Sequence, residues 1–171
     1  CTDGSEYESV APTATTNRVC TPLTTCTDGS EYESVAPTAT TNRQCSDIVC
    51  TQPEDITGYT VTNNELNVAT GFDVSVSCAG GYEGDPTVTA CSASDRPYTL
   101  SGCSAIVCTQ PEDTTGYIVT ENQVNAPDFD VSASCASGYG AGTGGNRPQA
   151  SVCTTSGPYT LSGCTVCADP Q

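Results

Sequence analysis

Apolar and polar residues alternate over two segments of the chain. Phe72, Val74, Val76 and Cys78 take every second position, with Asp73, Ser75 and Ser77 between them, and the alternation recurs through Phe129, Val131, Ala133 and Cys135. A period of two belongs to a strand with one face against a core, so each segment predicts a half-buried β-strand. EYESVA, at 6–11 and again at 31–36, offers a shorter strand after a TDG turn whose Gly4 and Gly29 are free to take positive φ. TVTAC, ASVC and PYTLSGC supply further short strands. Pro12 and Pro37 predict that the APTATT stretches run extended. No apolar run approaches the ~20 residues that cross a bilayer as a helix.

These elements repeat as blocks. Residues 1–18, CTDGSEYESVAPTATTNR, return unchanged at 26–43, and VCTQPEDITGY from Val49 returns as VCTQPEDTTGY from Val107. Registered by cysteines, the chain divides into cysteine-rich repeats at 1–25 and 26–49, larger modules at 50–107 and 108–164, and the start of a further module at 165–171. Construction by tandem repetition is the pattern of an array, not of a fold around one active site.

Composition explains how such small units hold together. The 171 residues include 13 cysteines, two Phe, and no Met or Trp. One large hydrophobic core is out of reach, so cross-links must replace burial. Regularly spaced cysteines of this density imply disulfides and an oxidising compartment. In the first pair, Cys1–Cys20 and Cys26–Cys45 are the bonds that close each repeat on itself and let identical sequence form identical structure. The larger modules carry four cysteines each, Cys50, Cys78, Cys91 and Cys103, then Cys108, Cys135, Cys153 and Cys164, which allow three pairings apiece.

Two family resemblances sharpen this picture. The run CTDGSEYESVAPTATTNR-x-C, with Thr15, Thr16, Arg18, Val19 and Cys20, and again Thr40, Thr41, Arg43 and Cys45, resembles the closing half of a tumour-necrosis-factor-receptor (EGF-like) cysteine-rich repeat. It departs from that family in having cysteines for one bridge per repeat. In the larger modules, a Pro-containing start, the Gly81-Tyr82 and Gly138-Tyr139 pairs, and an aromatic before the last cysteine resemble a complement-control-protein (sushi) module. Tyr98 and Tyr159 stand where that family usually has Trp. The sushi resemblance implies Cys50–Cys91, Cys78–Cys103, Cys108–Cys153 and Cys135–Cys164. Mixed arrays of both modules resemble large algal and protist surface proteins.

These bonds use twelve cysteines and leave Cys167. Its context, TVCADPQ, echoes IVCTQPE, which makes it the first cysteine of a further sushi-like unit with its partner beyond Gln171; a free or intermolecular thiol is the alternative. Linkers between the cysteines of neighbouring units are five, four or two residues long, too short for free rotation. GAGTGG, from Gly140 to Gly145, lacks the Lys-Ser/Thr of a phosphate loop and reads as a surface loop.

Charge then removes whole classes of function. Twenty acidic residues face four Arg, with no Lys and no His, for a net charge of −16. Nucleic acid is excluded as a partner, and an anionic membrane surface would repel the chain. Without His, Lys or a free thiol of obvious use, catalysis lacks its usual bases and nucleophiles. The close pairs Glu6/Glu8 and Asp128/Asp130 are solvated charge in preference to a glycosidase dyad.

Calcium is the one cofactor for which the acids supply the right hard oxygen ligands, at Asp3, Glu6 and Glu8, their copies Asp28, Glu31 and Glu33, and Glu54 with Asp55. Solubilising charge is the plainer account of the same residues. Arg18, Arg43, Arg96 and Arg147, one per unit, should each find a carboxylate. No Asn-x-Ser/Thr acceptor occurs, whereas Thr13, Thr15 and Thr16, with Thr38, Thr40 and Thr41, have the Thr/Pro-rich context of O-glycan acceptors.

Together these features predict small disulfide-rich, all-β modules in an elongated tandem-repeat rod with no large hydrophobic core. The expected function is that of an extracellular structural or adhesive repeat protein, not an enzyme, forming a surface filament, appendage or matrix by module–module contacts. Its partners would be copies of itself, other filament or matrix proteins, and glycans, at the cell surface and without membrane insertion of this segment. The alternative is a receptor-type ectodomain that binds a protein or glycan ligand.

Overall fold

The computed structural model describes residues 1–142 and 147–167. It is an all-β structure of short strands, stapled by six disulfides. The first repeat pairs β1 (Glu6–Val10) with β2 (Val19–Pro22), and the second pairs β3 (Glu31–Val35) with β4 (Gln44–Asp47), both antiparallel with the same one-residue bulge. Strands β5 (Tyr59–Glu65) and β6 (Asp73–Cys78) pair across a one-turn helix, α1 (Val68–Gly71), and β7 (Tyr82–Thr89) pairs with β8 (Thr99–Ala105). Next come β9 (Cys108–Thr109), β10 (Tyr117–Gln123), β11 (Asp130–Cys135), β12 (Tyr139–Ala141), β13 (Gln149–Ser151), β14 (Gly157–Pro158), β15 (Thr160–Ser162) and β16 (Cys164–Val166). Here β10 pairs with β11, β12 with β16, β13 with β15, and β9 with β14 in parallel.

The disulfides are Cys1–Cys20, Cys26–Cys45, Cys50–Cys91, Cys78–Cys103, Cys108–Cys153 and Cys135–Cys164. They close loops with separations of 19 to 45 residues. By the chain-entropy relation each loop closure is worth about 3–4 kcal/mol, comparable to what a small core contributes.

Two compact units form, and their limits do not fall at the cysteines. The first comprises 1–56, 61–76 and 87–101; the second comprises 57–60, 77–86 and 102–171. In the first unit the core is Ile48, Cys50, Val74, Cys91 and Tyr98, with Phe72 edge-on to the Tyr98 ring at 5.8 Å. Along β6 the alternation is realised: Val74 and Val76 turn inward and Asp73 and Ser75 outward. In the second unit Ile106, Cys108, Cys153 and Tyr159 make the core, and Phe129 meets Tyr159 edge-on at 5.7 Å.

Each buried tyrosine keeps its hydroxyl satisfied, which lets a polar ring stand where an apolar one would otherwise be needed. Tyr98 donates to Asn63 Oδ1 and Tyr159 to Glu121 Oε1, both at 2.9 Å. In the second unit the rings of Tyr82 and Tyr139 lie against Gly58 and Gly116, where an added Cβ would meet ring carbons at 2.7 and 2.6 Å. The TGY and GY signatures are thus two sides of one contact.

The APTATT stretches differ from the expected extended course. Thr13 N–H bonds Thr16 C=O at 2.9 Å, and the Thr13 hydroxyl accepts from Thr15 and Thr16 N–H, which folds the segment into a tight bend. Thr38 does the same to Thr40 and Thr41. A threonine hydroxyl offers the backbone a local partner, and that outweighs the extended bias that proline imposes on its neighbour.

Candidate functional site

The most repeated arrangement lies where one cysteine-bounded segment hands over to the next. Each segment ends in a strand pair whose second strand carries its last cysteine: the hairpins β1–β2, β3–β4 and β7–β8, and the pair β12–β16, which encloses β13 to β15. The third residue after that cysteine is Leu23, Ile48, Ile106 and Cys167 in turn. Each donates its N–H to the carbonyl just before the first strand of the pair: Leu23 to Ser5, Ile48 to Ser30, Ile106 to Gly81 and Cys167 to Gly138, at 2.8–2.9 Å. The small repeats and the larger modules therefore close in the same way.

Ile48 and Ile106 then turn into the body that follows. Ile48 is 4% exposed, and its carbonyl accepts from Val68 N–H. Ile106 is 6% exposed, and its carbonyl accepts from Ala126 N–H. The linker hydrophobe is thus a core residue, and the compact grouping is a closing hairpin with the body after it. Within the second unit, Glu83 on the hairpin adds both carboxylate oxygens to Ser156 N–H at 3.2 Å. Linker length alone does not reveal this burial. The linkers' signal was the aliphatic residue three places after Cys20, Cys45 and Cys103.

Cys167 stands in register with Ile106, not with Cys108. Cys108 follows its closing cysteine by five residues and Cys167 by three, so the linker before Cys167 is two residues shorter. Its thiol is exposed and free among the described residues. Residues 168–171, the rest of the expected further module, lie outside the described residues, as does part of GAGTGG at 143–146.

Between the two small repeats, Glu8 N–H donates to Ala39 C=O at 2.7 Å. Asn42 accepts from Thr24 N–H at 2.9 Å and donates to Thr24 Oγ1 at 2.7 Å, and Arg43 donates to Thr24 C=O at 3.0 Å. Two side chains of the second repeat thus hold both backbone groups and the hydroxyl of one linker residue.

The expected calcium ligands make other contacts. Glu6 accepts Thr2 N–H at 2.8 Å, a bond to its charged form that holds its carboxyl below the usual range, and Glu31 accepts Thr27 N–H at 2.6 Å. Glu8 pairs with Arg18 and Glu33 with Arg43. Asp3 and Asp28 are exposed in the turns, and Glu54 and Asp55 are exposed too. Among the described residues no group of three or more Asp, Glu, His or Cys is arranged to hold a metal. Arg96 and Arg147 are exposed and form no ion pair among the described residues.

Asp130 accepts from Asn122 at 3.1 Å, and nothing joins it to Asp128 as an acid–base pair. The carboxyl groups of Glu65 and Asp113 are lowered by hydrogen bonds from Asn67 and Thr115. Burial raises the Tyr98 phenol, and burial with the nearby Glu121 charge pushes Tyr159 up to about 12. Of the threonines, Thr13 and Thr16 share a hydrogen bond at 2.7 Å, as do Thr38 and Thr41, which leaves the Thr15 and Thr40 hydroxyls unengaged among the described residues.

No helix among the described residues is long and apolar enough to cross a membrane. The six disulfides are the signature of an extracellular or secreted protein. In comparisons with known proteins, no family model, no curated sequence and no solved structure matches this chain.

Proposed function

We propose that the chain is a structural or adhesive segment of an extracellular repeat protein, which builds a surface filament, appendage or matrix through module–module contacts. The observation that carries this reading is the handover device: the same hydrogen bond at four segment ends, followed twice by burial of the linker isoleucine in the next core. A chain whose junctions are built into its compact units passes load and orientation from one segment to the next, the need of an array. The proposal includes the receptor-repeat-like and sushi-like identities of the two module types, a cell-surface location and no catalytic role.

Two further parts of the proposal concern surface chemistry. With −16 of net charge, copies brought side by side would repel, and loosely held calcium between chains would offset that repulsion. O-glycans would fall on Thr15 and Thr40, whose hydroxyls are free, in preference to the four threonines already bonded to each other. The test is negative-stain electron microscopy of the native material before and after calcium chelation. Uniform filaments that dissolve on chelation support the structural reading and the calcium between chains. Isolated particles under both conditions overturn the structural reading in favour of a ligand-binding ectodomain.

A further inference from the structure

The two small repeats have the same eighteen residues from cysteine to arginine, so any difference between them reports on neighbours, not on sequence. In the second repeat the Ala39–Asn42–Arg43 face is occupied by the first repeat, and the Arg43 side chain is 28% exposed. In the first repeat the same face is Ala14–Asn17–Arg18. There the Arg18 side chain is 53% exposed, and Asn17 is exposed with no hydrogen bond among the described residues. The opposite face shows the reverse: Glu8, covered by the second repeat, is 16% exposed, and its copy Glu33 is 41% exposed. One contact with two unlike halves has formed once, and a second copy of its receiving half stands open.

We infer that the Ala14–Asn17–Arg18 face is a docking surface for a further copy of the same 25-residue repeat. It would receive the Glu8-type strand edge and the Thr24-type linker, with Asn17 and Arg18 closing on that linker as Asn42 and Arg43 close on Thr24. The contact is heterologous, front to back, so it can propagate along a line without closing. The occupant is a repeat with a free linker, not a second folded copy of the whole chain. In this chain Thr24 is already held, and its counterpart Val49 has its N–H bonded to Ser94 and its carbonyl to Asp95 N–H. The inference rests on the structural reading above for its biological use, but its test is separate from filament formation.

The experiment joins one additional copy of residues 1–25 ahead of Cys1 in the full chain and follows amide hydrogen exchange, with complete disulfide formation checked by mass. The added linker amide equivalent to Thr24 is expected to exchange about tenfold or more slowly than in the same fusion carrying Asn17→Ala. In the unextended chain Asn42→Ala should release Thr24 by a similar factor, and Asn17→Ala should change nothing. A merely structural role of Asn17 within its own repeat would instead move the unextended chain. Equal exchange with and without Asn17→Ala in the fusion overturns the inference. So does concentration-dependent self-association of the unextended chain that Arg18→Ala abolishes, because the face would then belong to a second copy of the chain. Either failure leaves the electron-microscopy outcome free to stand.

Discussion

Replacing Ile48 by alanine tests the claim that a linker residue is part of a core. Ile48 is 4% exposed, in the cluster with Cys50, Val74, Cys91 and Tyr98. The substitution removes three carbons from water-free surroundings, roughly 2.4 kcal/mol at about 0.8 kcal/mol each. The cavity left behind adds to this, and buried Ile→Ala changes cost about 2–5 kcal/mol, so about 3 kcal/mol is expected. Val49, the next residue, is 40% exposed, and Val49→Ala should stay within about 0.5 kcal/mol. Because two units need not unfold together, the assay is residue-level hydrogen exchange in place of a global melt. Val68 N–H, bonded to Ile48 C=O at 2.9 Å, and Cys50 N–H, bonded to Leu66 C=O, should lose about a hundredfold of protection in the alanine variant. Ala126 N–H, bonded to Ile106 C=O in the second unit, should keep its own. A loss below about 1 kcal/mol, or one equal to that of Val49→Ala, would refute the plugged-linker account.

Gly116→Ala places a Cβ 2.6 Å from the Tyr139 ring at a φ of +86°, so left-handed strain of about 1–2 kcal/mol adds to ring displacement of about 1–3 kcal/mol. Gly138→Ala, at φ +85° with open space around it, should cost the strain alone, and chemical denaturation followed by tyrosine fluorescence distinguishes the two. Tyr159 has its phenol raised to about 12 in the fold, above its value in the unfolded chain. Its contribution to stability is therefore complete below about pH 10 and is lost as pH rises from there through about 12. Absorbance titration should show this late phenol, and Tyr159→Phe should remove it. Reduction of the disulfides should unfold both units, since the loops they close are each worth about 3–4 kcal/mol and neither core is large; circular dichroism that survives full reduction would contradict this.

Much of the architecture was legible because it is local or arithmetical. Cysteine density gave a stapled all-β chain, period-two alternation gave β6 and β11, and the TDG turns gave the entries to β1 and β3. Local reasoning missed the bend after Pro12 and the burial of the linker isoleucines. Pro12 predicted an extended run, yet the Thr13 hydroxyl, one residue on, supplied a competing bond. Ile48 and Ile106 are buried by partners distant in sequence, Ile48 among Val74, Cys91 and Tyr98 and Ile106 among Cys153 and Tyr159.

The sequence by itself determined that the units repeat, that cross-links must stand in for a core, and which faces of the strands turn inward. These follow from composition and short-range periodicity, which every copy shares. Tertiary structure alone decided that Ile48 and Ile106 are core residues, that the rings of Tyr82 and Tyr139 rest on Gly58 and Gly116, and that Asn42 clasps a linker while Asn17 does not. The two asparagines sit in the same string of residues. Burial and hydrogen bonding depend on what lies opposite a side chain, and that is fixed by the neighbouring module and not by the residues around the asparagine.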